Sequence, residues 1–337
     1  MSGRRDMVIL GGGSWGTALA LHLARAGRAV NLWVHDAALA RRIRVSRLNE
    51  KYLPGHPLPH EVRVTADMEE ALDAEGSVLL AVPSHHCRWV LESGRPFVRE
   101  NVNFVVASKG IENETLMRVS GVVQDVLGAR LAGRTAVLSG PSFAQEVAQG
   151  HPTALVIASG DGQLADHFQR VLSAGNLRVY TSNDTIGVEL GGALKNVIAI
   201  AAGAVQGLGY GANTLAALIT RGLAEMSRLA ESLGGRGETL AGLAGLGDLV
   251  LTCTGSLSRN RSLGVALGRG MALAQYQSGT PMVAEGVRTA LSAHRLSARH
   301  GVEMPITAQV HALLYEGKPP ADAVKDLLAR QLRKEQA

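Results

Sequence analysis

Lys195 lies in the string ELGGALKNVIAI, with Gly191 and Gly192 one helical turn before it and Ile198 and Ala199 one turn after. A lysine framed by glycines and alkyl groups is partly desolvated. Desolvation lowers an ammonium pKa until the group exchanges a proton near neutral pH, which is acid/base chemistry. The same spacing also fits a lysine whose stem lies along a helix surface with its head in water. A second constellation lies in AGLGDLVLTCTGSLSRNRSLG. There Gly245 and Gly247 free the backbone ahead of Asp248, and Ser258 can cap a helix whose first turn holds Arg259 and Asn260. Backbone N–H groups, a hydroxyl, an amide and a guanidinium then converge at one helix N-terminus, a cradle for a phosphate. A plain capped helix is the alternative.

Two shorter strings carry related features. SKGIENET puts Lys109-Gly110 at the end of an apolar run, and SGPSFAQE breaks the chain at Gly140 and Pro141. Ser142 is then expected to N-cap a helix over Phe143–Ala148. Near the start, GGGSWG gives G-x-G-x-x-G at Gly11, Gly13 and Gly16. It follows the apolar run Met7–Leu10 and opens a helix, the context a dinucleotide fingerprint requires. Gly11 permits the tight turn, Gly13 lets backbone approach a pyrophosphate, and Gly16 allows close helix–strand packing. The N–H groups near Ser14 and Trp15 then face the anion.

The acid that selects an NAD ribose is expected at the end of the second strand, where Val34 stands, followed by His35 and Asp36. Val34 offers no acid. His35 can stack on adenine or meet a 2′-phosphate, or be a surface histidine. Asp36 can reach the ribose if the register differs by one or two. His85 and His86 point in different directions with no carboxylate nearby in sequence, which favours a loop role.

The elements that must hold these residues change character half-way. Met7–Leu10, Ala29–Val34, Ser77–Val82, Asn103–Ser108, Thr135–Gly140 and Thr153–Ser159 are short apolar runs separated by helix-length segments. They predict a buried parallel sheet in a doubly wound, Rossmann-like α/β domain. Beyond Tyr180 the spacing is helical: Leu190, Leu194, Val197, Ile198 and Ala201, then Leu215, Ile219, Leu223, Met226 and Leu229, closed by Gly234-Gly235. Further helices are expected over Gly286–His300, Ile306–Glu316 and Ala321–Leu332. The expected organisation is an NAD(P)-binding domain over 1–184 and an all-α substrate domain over 185–337.

Composition limits the function classes. The 337 residues are 46% apolar and 19% charged, a globular balance long enough for two domains. No apolar run reaches the roughly 20 residues of a membrane span, so no membrane insertion is expected. Cys87 and Cys253 lack metal or disulfide spacing, so no metal site is expected and a reducing cytoplasm fits. The net charge of +5 is scattered and aromatics are 4%, which argues against nucleic acid and suits an anionic small substrate.

The strings GGGSWGTALA, ASKGIE, SGPSFAQE, ELGGALKNVIAIAAG, ANTLAALITRGLAEMSRL, GLAGLGDLVLTCT and SRNR together resemble bacterial glycerol-3-phosphate dehydrogenases. These are soluble NAD(P)-dependent enzymes that make sn-glycerol 3-phosphate from dihydroxyacetone phosphate for phospholipid synthesis. The resemblance implies cofactor contacts (NADPH or NADH) at Ser14, Trp15, His35, Lys109, Ala144, Arg259, and at Val283 and Glu285 in MVAEGV. It implies substrate contacts at Lys109, Gly140, Ser142, Lys195, Asp248, Ser258, Arg259 and Asn260, with Lys195 as catalytic acid/base, and a homodimer. One departure is Gly12, where many relatives carry alanine; a backbone-permissive replacement is expected to leave pyrophosphate binding intact. Two other functions share parts of the pattern: a β-hydroxy-acid dehydrogenase of the same two-domain plan, and a non-catalytic NAD(P)-sensing protein.

Overall fold

The computed structural model describes residues 7–73, 76–279, 284–332 and 334–335. Its centre is β1 (Met7–Leu10), whose four residues are all buried. A strand covered on both faces has no solvent side, so its sequence is an unbroken apolar run rather than an alternation. The other strands are β2 (Val30–Trp33), β3 (Val62–Thr65), β4 (Ser77–Leu80), β5 (Phe104–Val106), β6 (Thr135–Ser139), β7 (Thr153–Ala158) and β8 (Leu177–Ser182). They form one sheet in the order β3-β2-β1-β4-β5-β6-β7-β8. Its helices are α1 (Ser14–Arg25), α2 (Ala37–Ser46), α3 (Met68–Leu72), α4 (Cys87–Gly94), α5 (Val119–Leu127), α6 (Ala144–Gln149) and α7 (Gly162–Leu172).

β1 lies between β2 and β4, so the chain leaves the two middle strands toward opposite sides. The crevice this opens at their carboxyl ends is where a doubly wound sheet binds ligands. The sheet departs from the sequence expectation in two ways. First, β7 runs antiparallel to β6, and β8 parallel to β7. The link between β6 and β7 contains only the six-residue α6. At about 1.5 Å per residue, that helix is too short to carry the chain back along the sheet. The strand therefore re-enters from the same end and runs the other way. Second, β3 and β8 lie outside the predicted runs. They are edge strands with exposed positions among the buried ones, so neither presents a continuous apolar run.

Beyond Ser182 the described residues form helices and turns only: α8 (Thr185–Gly207), α9 (Ala212–Ser232), α10 (Gly237–Ala241), α11 (Asp248–Thr254), α12 (Arg259–Gly268), α13 (Leu273–Ser278), α14 (Glu285–Arg299), α15 (Pro305–Tyr315) and α16 (Pro320–Leu328). The fold is thus a Rossmann-like α/β unit followed by a helical one. α8 is apolar nearly all round because α9, α11, α12 and α14 surround it. Among the described residues it is the one helix long and apolar enough to cross a membrane, and it is the core helix of this bundle. α9 ends as the glycine pair predicts: Gly234 has φ +89°, and the Gly235 N–H donates to Ala230 at 2.8 Å.

Glu225 on α9 is buried and caps α15 from outside, accepting from the N–H groups of Ile306 (2.6 Å) and Thr307 (3.1 Å). Pro305 opens that helix at its first position. Removing the carboxylate strands two buried donors. Glu225→Ala is therefore expected to lower unfolding free energy by about 2–4 kcal/mol in urea titrations. A loss below about 1 kcal/mol would mean that water replaces the cap.

Candidate active site

A cleft of about 430 Å3 opens where the sheet's carboxyl edge meets α8, α11 and α12. On the sheet side it is lined by Ser14, Trp15, Lys109, Ser142 and Ala144, and on the helical side by Lys195, Ser258, Arg259, Asn260 and Glu285. Ten of the residues singled out from sequence thus share one cavity, although they span residues 14 to 285.

The cleft rests on a buried carboxylate. Asp248 is 0% exposed. Its Oδ1 is ion-paired with Lys195, and its Oδ2 accepts from Lys109 Nζ at 2.7 Å. Lys109 Nζ also donates to the Gly140 carbonyl at 3.1 Å, so Gly140 acts through its backbone. Lys195 is buried rather than a surface lysine: it is 7% exposed. Burial pushes its ammonium down to about 8; Asp248 opposes this, and Lys109 adds to it. The backbone that delivers Asp248 is a π-helical turn, Leu243–Gly247. A Cβ on Gly191 would lie 2.5 Å from the Ala244 carbonyl oxygen, so α8 must be bare there for the turn to seat.

Ser258 caps α12 as predicted, its Oγ accepting from the Arg261 N–H at 3.2 Å. Its hydroxyl hydrogen stays free to donate. Arg259, exposed at the cleft wall, follows in the first turn. Asn260 is engaged within the protein: its Nδ2 donates to Asn196 Oδ1 at 2.8 Å, and its Oδ1 accepts from the Gly286 N–H at 2.9 Å. It ties α8, α12 and α14 together and keeps one amide hydrogen for a ligand. Glu285 stands at the start of α14. Burial pushes its carboxyl pKa up, while Arg259, Lys109 and Lys195 pull it down.

Ser142 differs from the expectation. α6 starts at Ala144 with Phe143 in the capping position, and no side chain caps it. Ser142 instead donates to Gly140 at 3.0 Å. Gly140 has φ +131°, so the turn it makes brings its own carbonyl within reach of Ser142. Asp36 caps α2, its Oδ1 accepting from the Leu39 N–H at 3.0 Å. His35 lies outside the cleft, edge-on to Trp89 with ring centroids 4.9 Å apart. His85 and His86 form a 3-10 turn after β4, and burial pushes the His85 imidazole down to about 4. Val283 falls outside the described residues.

Three contributors escaped the sequence reading. Thr252 lines the cleft one turn after Asp248, and its Oγ1 donates to the Asp248 carbonyl at 2.6 Å. The i, i+4 spacing from Asp248 was the available signal. Asn196 lines the cleft through its tie to Asn260, which no local pattern reveals. Buried Asn49 braces the glycine turn, donating to Gly12 O at 2.9 Å and Thr17 Oγ1 at 2.8 Å.

The family model for the N-terminus of NAD-dependent glycerol-3-phosphate dehydrogenase matches residues 6–165, and that for its C-terminus matches residues 184–325. The chain belongs to the NAD-dependent glycerol-3-phosphate dehydrogenase family. It is 53% identical to the glycerol-3-phosphate dehydrogenase (NAD(P)+) of Geobacter sulfurreducens, covering 97% of this chain and 98% of that one. The enzyme of that name from Koribacter versatilis is 50% identical, covering 96% and 97%. Among solved structures, glycerol-3-phosphate dehydrogenase from Coxiella burnetii superposes with a TM-score of 0.93 at 41% identity, covering 97% and 99%.

The residues present fit the dinucleotide that a glycerol-3-phosphate dehydrogenase of this family uses. Trp15 Nε1 is buried in the cleft region without a hydrogen-bond partner, a donor that a ligand can satisfy. Gly13 precedes α1 without a side-chain cap, leaving its first N–H groups for an anion. A Cβ on Gly13 would meet nothing within 4 Å. The two unusual residues of the turn region are coupled: a Cβ on Gly12 would lie 2.5 Å from Val34 Cγ2. Val34 occupies the space that an alanine at residue 12 would need, so glycine is the residue that fits beside it. Gly16 is stricter, since a Cβ there would lie 1.9 Å from the Gly11 carbonyl oxygen. Gly16→Ala is expected to lower stability by about 1–3 kcal/mol and to weaken dinucleotide binding. Thermal melts with and without NADPH check this; an undiminished NADPH-induced rise in Tm would refute the binding effect.

Proposed function

We propose that Lys195 is the acid and base of the NAD(P)-dependent interconversion of dihydroxyacetone phosphate and sn-glycerol 3-phosphate, the reaction of this family. One observation carries the proposal: two lysines meet on one buried carboxylate, in a cleft that also holds the capped start of α12. The dinucleotide, when bound, supplies or accepts the hydride at C2; Ser14, Trp15, Ala144, Arg259 and Glu285 line its side of the cleft, Ser14 and Trp15 belonging to the turn Gly11–Gly16. Protonated Lys195 stabilises the oxygen at C2 as charge develops and gives it a proton; neutral Lys195 takes that proton in the reverse direction. Asp248 orients Lys195 and Lys109. Arg259, the Ser258 hydroxyl, the remaining Asn260 N–H and the first N–H groups of α12 bind the phosphate and so fix C2. Lys109, held to Gly140, adds a second cation.

A carboxylate substrate would not need the cation and helix start at Ser258–Asn260, which favours the phosphate over a β-hydroxy acid. Absorbance at the nicotinamide band with dihydroxyacetone phosphate, comparing NADH with NADPH, tests substrate and cofactor together. No oxidation of either would overturn the proposal.

The pH dependence follows from Lys195. Reduction requires its ammonium, so the reductive rate is expected to fall as pH rises through about 8. Oxidation of glycerol 3-phosphate requires the amine and is expected to rise through the same region. Parallel profiles in the two directions would exclude Lys195 as the shared group.

The same proposal comprises a division into domains 1–184 and 185–337, a homodimer and a cytoplasmic location. Cys87 and Cys253 are both buried and free, which supports a reducing compartment. Sedimentation equilibrium tests the dimer.

A further inference from the structure

Lys195, Lys109 and Asp248 hold two positive charges and one negative charge in a region nearly closed to water. Asp248 is 0% exposed, and the Lys195 and Lys109 side chains are 9% and 15% exposed. Arg259 and Glu285 also line this cleft. Burial pushes the Glu285 carboxyl toward its neutral form, so the second lysine's charge is only partly balanced. Loss of a proton from one lysine relieves this most cheaply, and Lys195 is the more buried. Its ammonium lies at about 8, so a neutral amine is well populated in mildly alkaline solution. A desolvated lysine beside a second cation is a nucleophile toward carbonyls. The proposed substrate is a ketone, and its phosphate anchor at Ser258–Asn260 lines the same cleft.

We propose that, when no dinucleotide is bound, Lys195 condenses with C2 of dihydroxyacetone phosphate to form a Schiff base, so that the substrate site also acts as a reversible trap for phosphorylated ketones. This rests on the reading of Lys195 as the group that meets C2. The Nζ lone pair forms a bond to C2, and the carbonyl π pair moves to oxygen, which takes a proton from the Lys109 ammonium. The added nitrogen returns a proton to the Lys109 amine. As the C–O bond breaks, the nitrogen lone pair forms the C=N bond and Lys109 gives that proton to the departing hydroxyl, which leaves as water. The protonated imine then passes its proton back to Lys109. One amine and one ketone become one imine and one water, with no change of oxidation state. In the cofactor-free enzyme this produces slow, reversible inhibition by dihydroxyacetone phosphate.

The test is reductive trapping. The cofactor-free protein is incubated with dihydroxyacetone phosphate and sodium cyanoborohydride, and its peptides are mapped by mass spectrometry. The peptide carrying Lys195 is expected to be modified at least about tenfold faster than solvent-exposed Lys325, because binding holds amine and ketone together. Modification should accelerate as pH rises through about 8. Inorganic phosphate and NADPH should each suppress it, and Lys195→Arg should abolish it. Equal labelling of Lys195 and Lys325, labelling at Lys109 instead, or no label on active wild-type protein would overturn the inference. Turnover of Lys195→Ala separates the two ideas. If turnover collapses while wild type traps nothing, the acid/base role stands and the Schiff base falls. If turnover is normal, the acid/base role falls.

Discussion

Lys195→Ala is expected to lower turnover of dihydroxyacetone phosphate by about 10²–10⁴-fold, with dinucleotide affinity nearly unchanged. That range corresponds to about 3–5 kcal/mol of transition-state stabilisation. The physical basis is the absence of a substitute. Lys109 shares Asp248 with Lys195, but it is also held to the Gly140 carbonyl at 3.1 Å. Water has little access to the floor of the cleft. The alanine variant leaves the Asp248 carboxylate buried with one cation rather than two, so stability must be followed alongside rate. Lys195→Arg separates the effects: it keeps the charge for Asp248 and loses an acid whose pKa lies near working pH. Steady-state kinetics with circular dichroism decides the matter. Near-normal turnover in a folded Lys195→Ala would remove the assignment.

Arg259→Ala is expected to raise the apparent Michaelis constant for dihydroxyacetone phosphate roughly ten- to a hundredfold, from the loss of charge-assisted hydrogen bonds worth about 1.5–3 kcal/mol. Arg259 stands in the first turn of α12, so under the proposed function the helix start and the guanidinium would address one anion together. The Arg259 charge favours the ionised form of the Glu285 carboxyl, which burial pushes toward neutrality. Removing Arg259 therefore favours the neutral form of Glu285, and some loss of dinucleotide affinity should accompany the substrate effect. Arg259→Lys should recover part of the substrate affinity, because a point charge replaces a fork. An unchanged Michaelis constant in Arg259→Ala would mean that the phosphate binds elsewhere.

Much of this site was legible before any fold was known, because its parts are local. A glycine spacing after an apolar run defines a turn and a helix start. A serine followed by arginine and asparagine defines a cap with donors in its first turn. Both depend on residues a few positions apart, and both appear in the fold: α1 opens on Gly13 and α12 on Ser258. Helical periodicity likewise located the core helices α8 and α9. What failed was equally local in cause. Ser142 was expected to cap the helix that follows the break at Gly140 and Pro141, and the turn at Gly140 drew it to a carbonyl instead.

The sequence by itself determined which local elements the chain carries: a glycine turn opening α1, a lysine among alkyl groups and a serine-capped helix start with donors in its first turn. Only the tertiary structure decided their relations. Asp248 meets Lys195 from 53 residues away and Lys109 from 139 residues away. Whether a lysine is an acid/base or a surface charge depends on burial and on the charges beside it, and both are sums over residues distant in the chain. The direction of β7, the engagement of Asn260 and the coupling of Gly12 to Val34 follow the same rule. Each is set by which surfaces pack, and packing is a property of the whole chain.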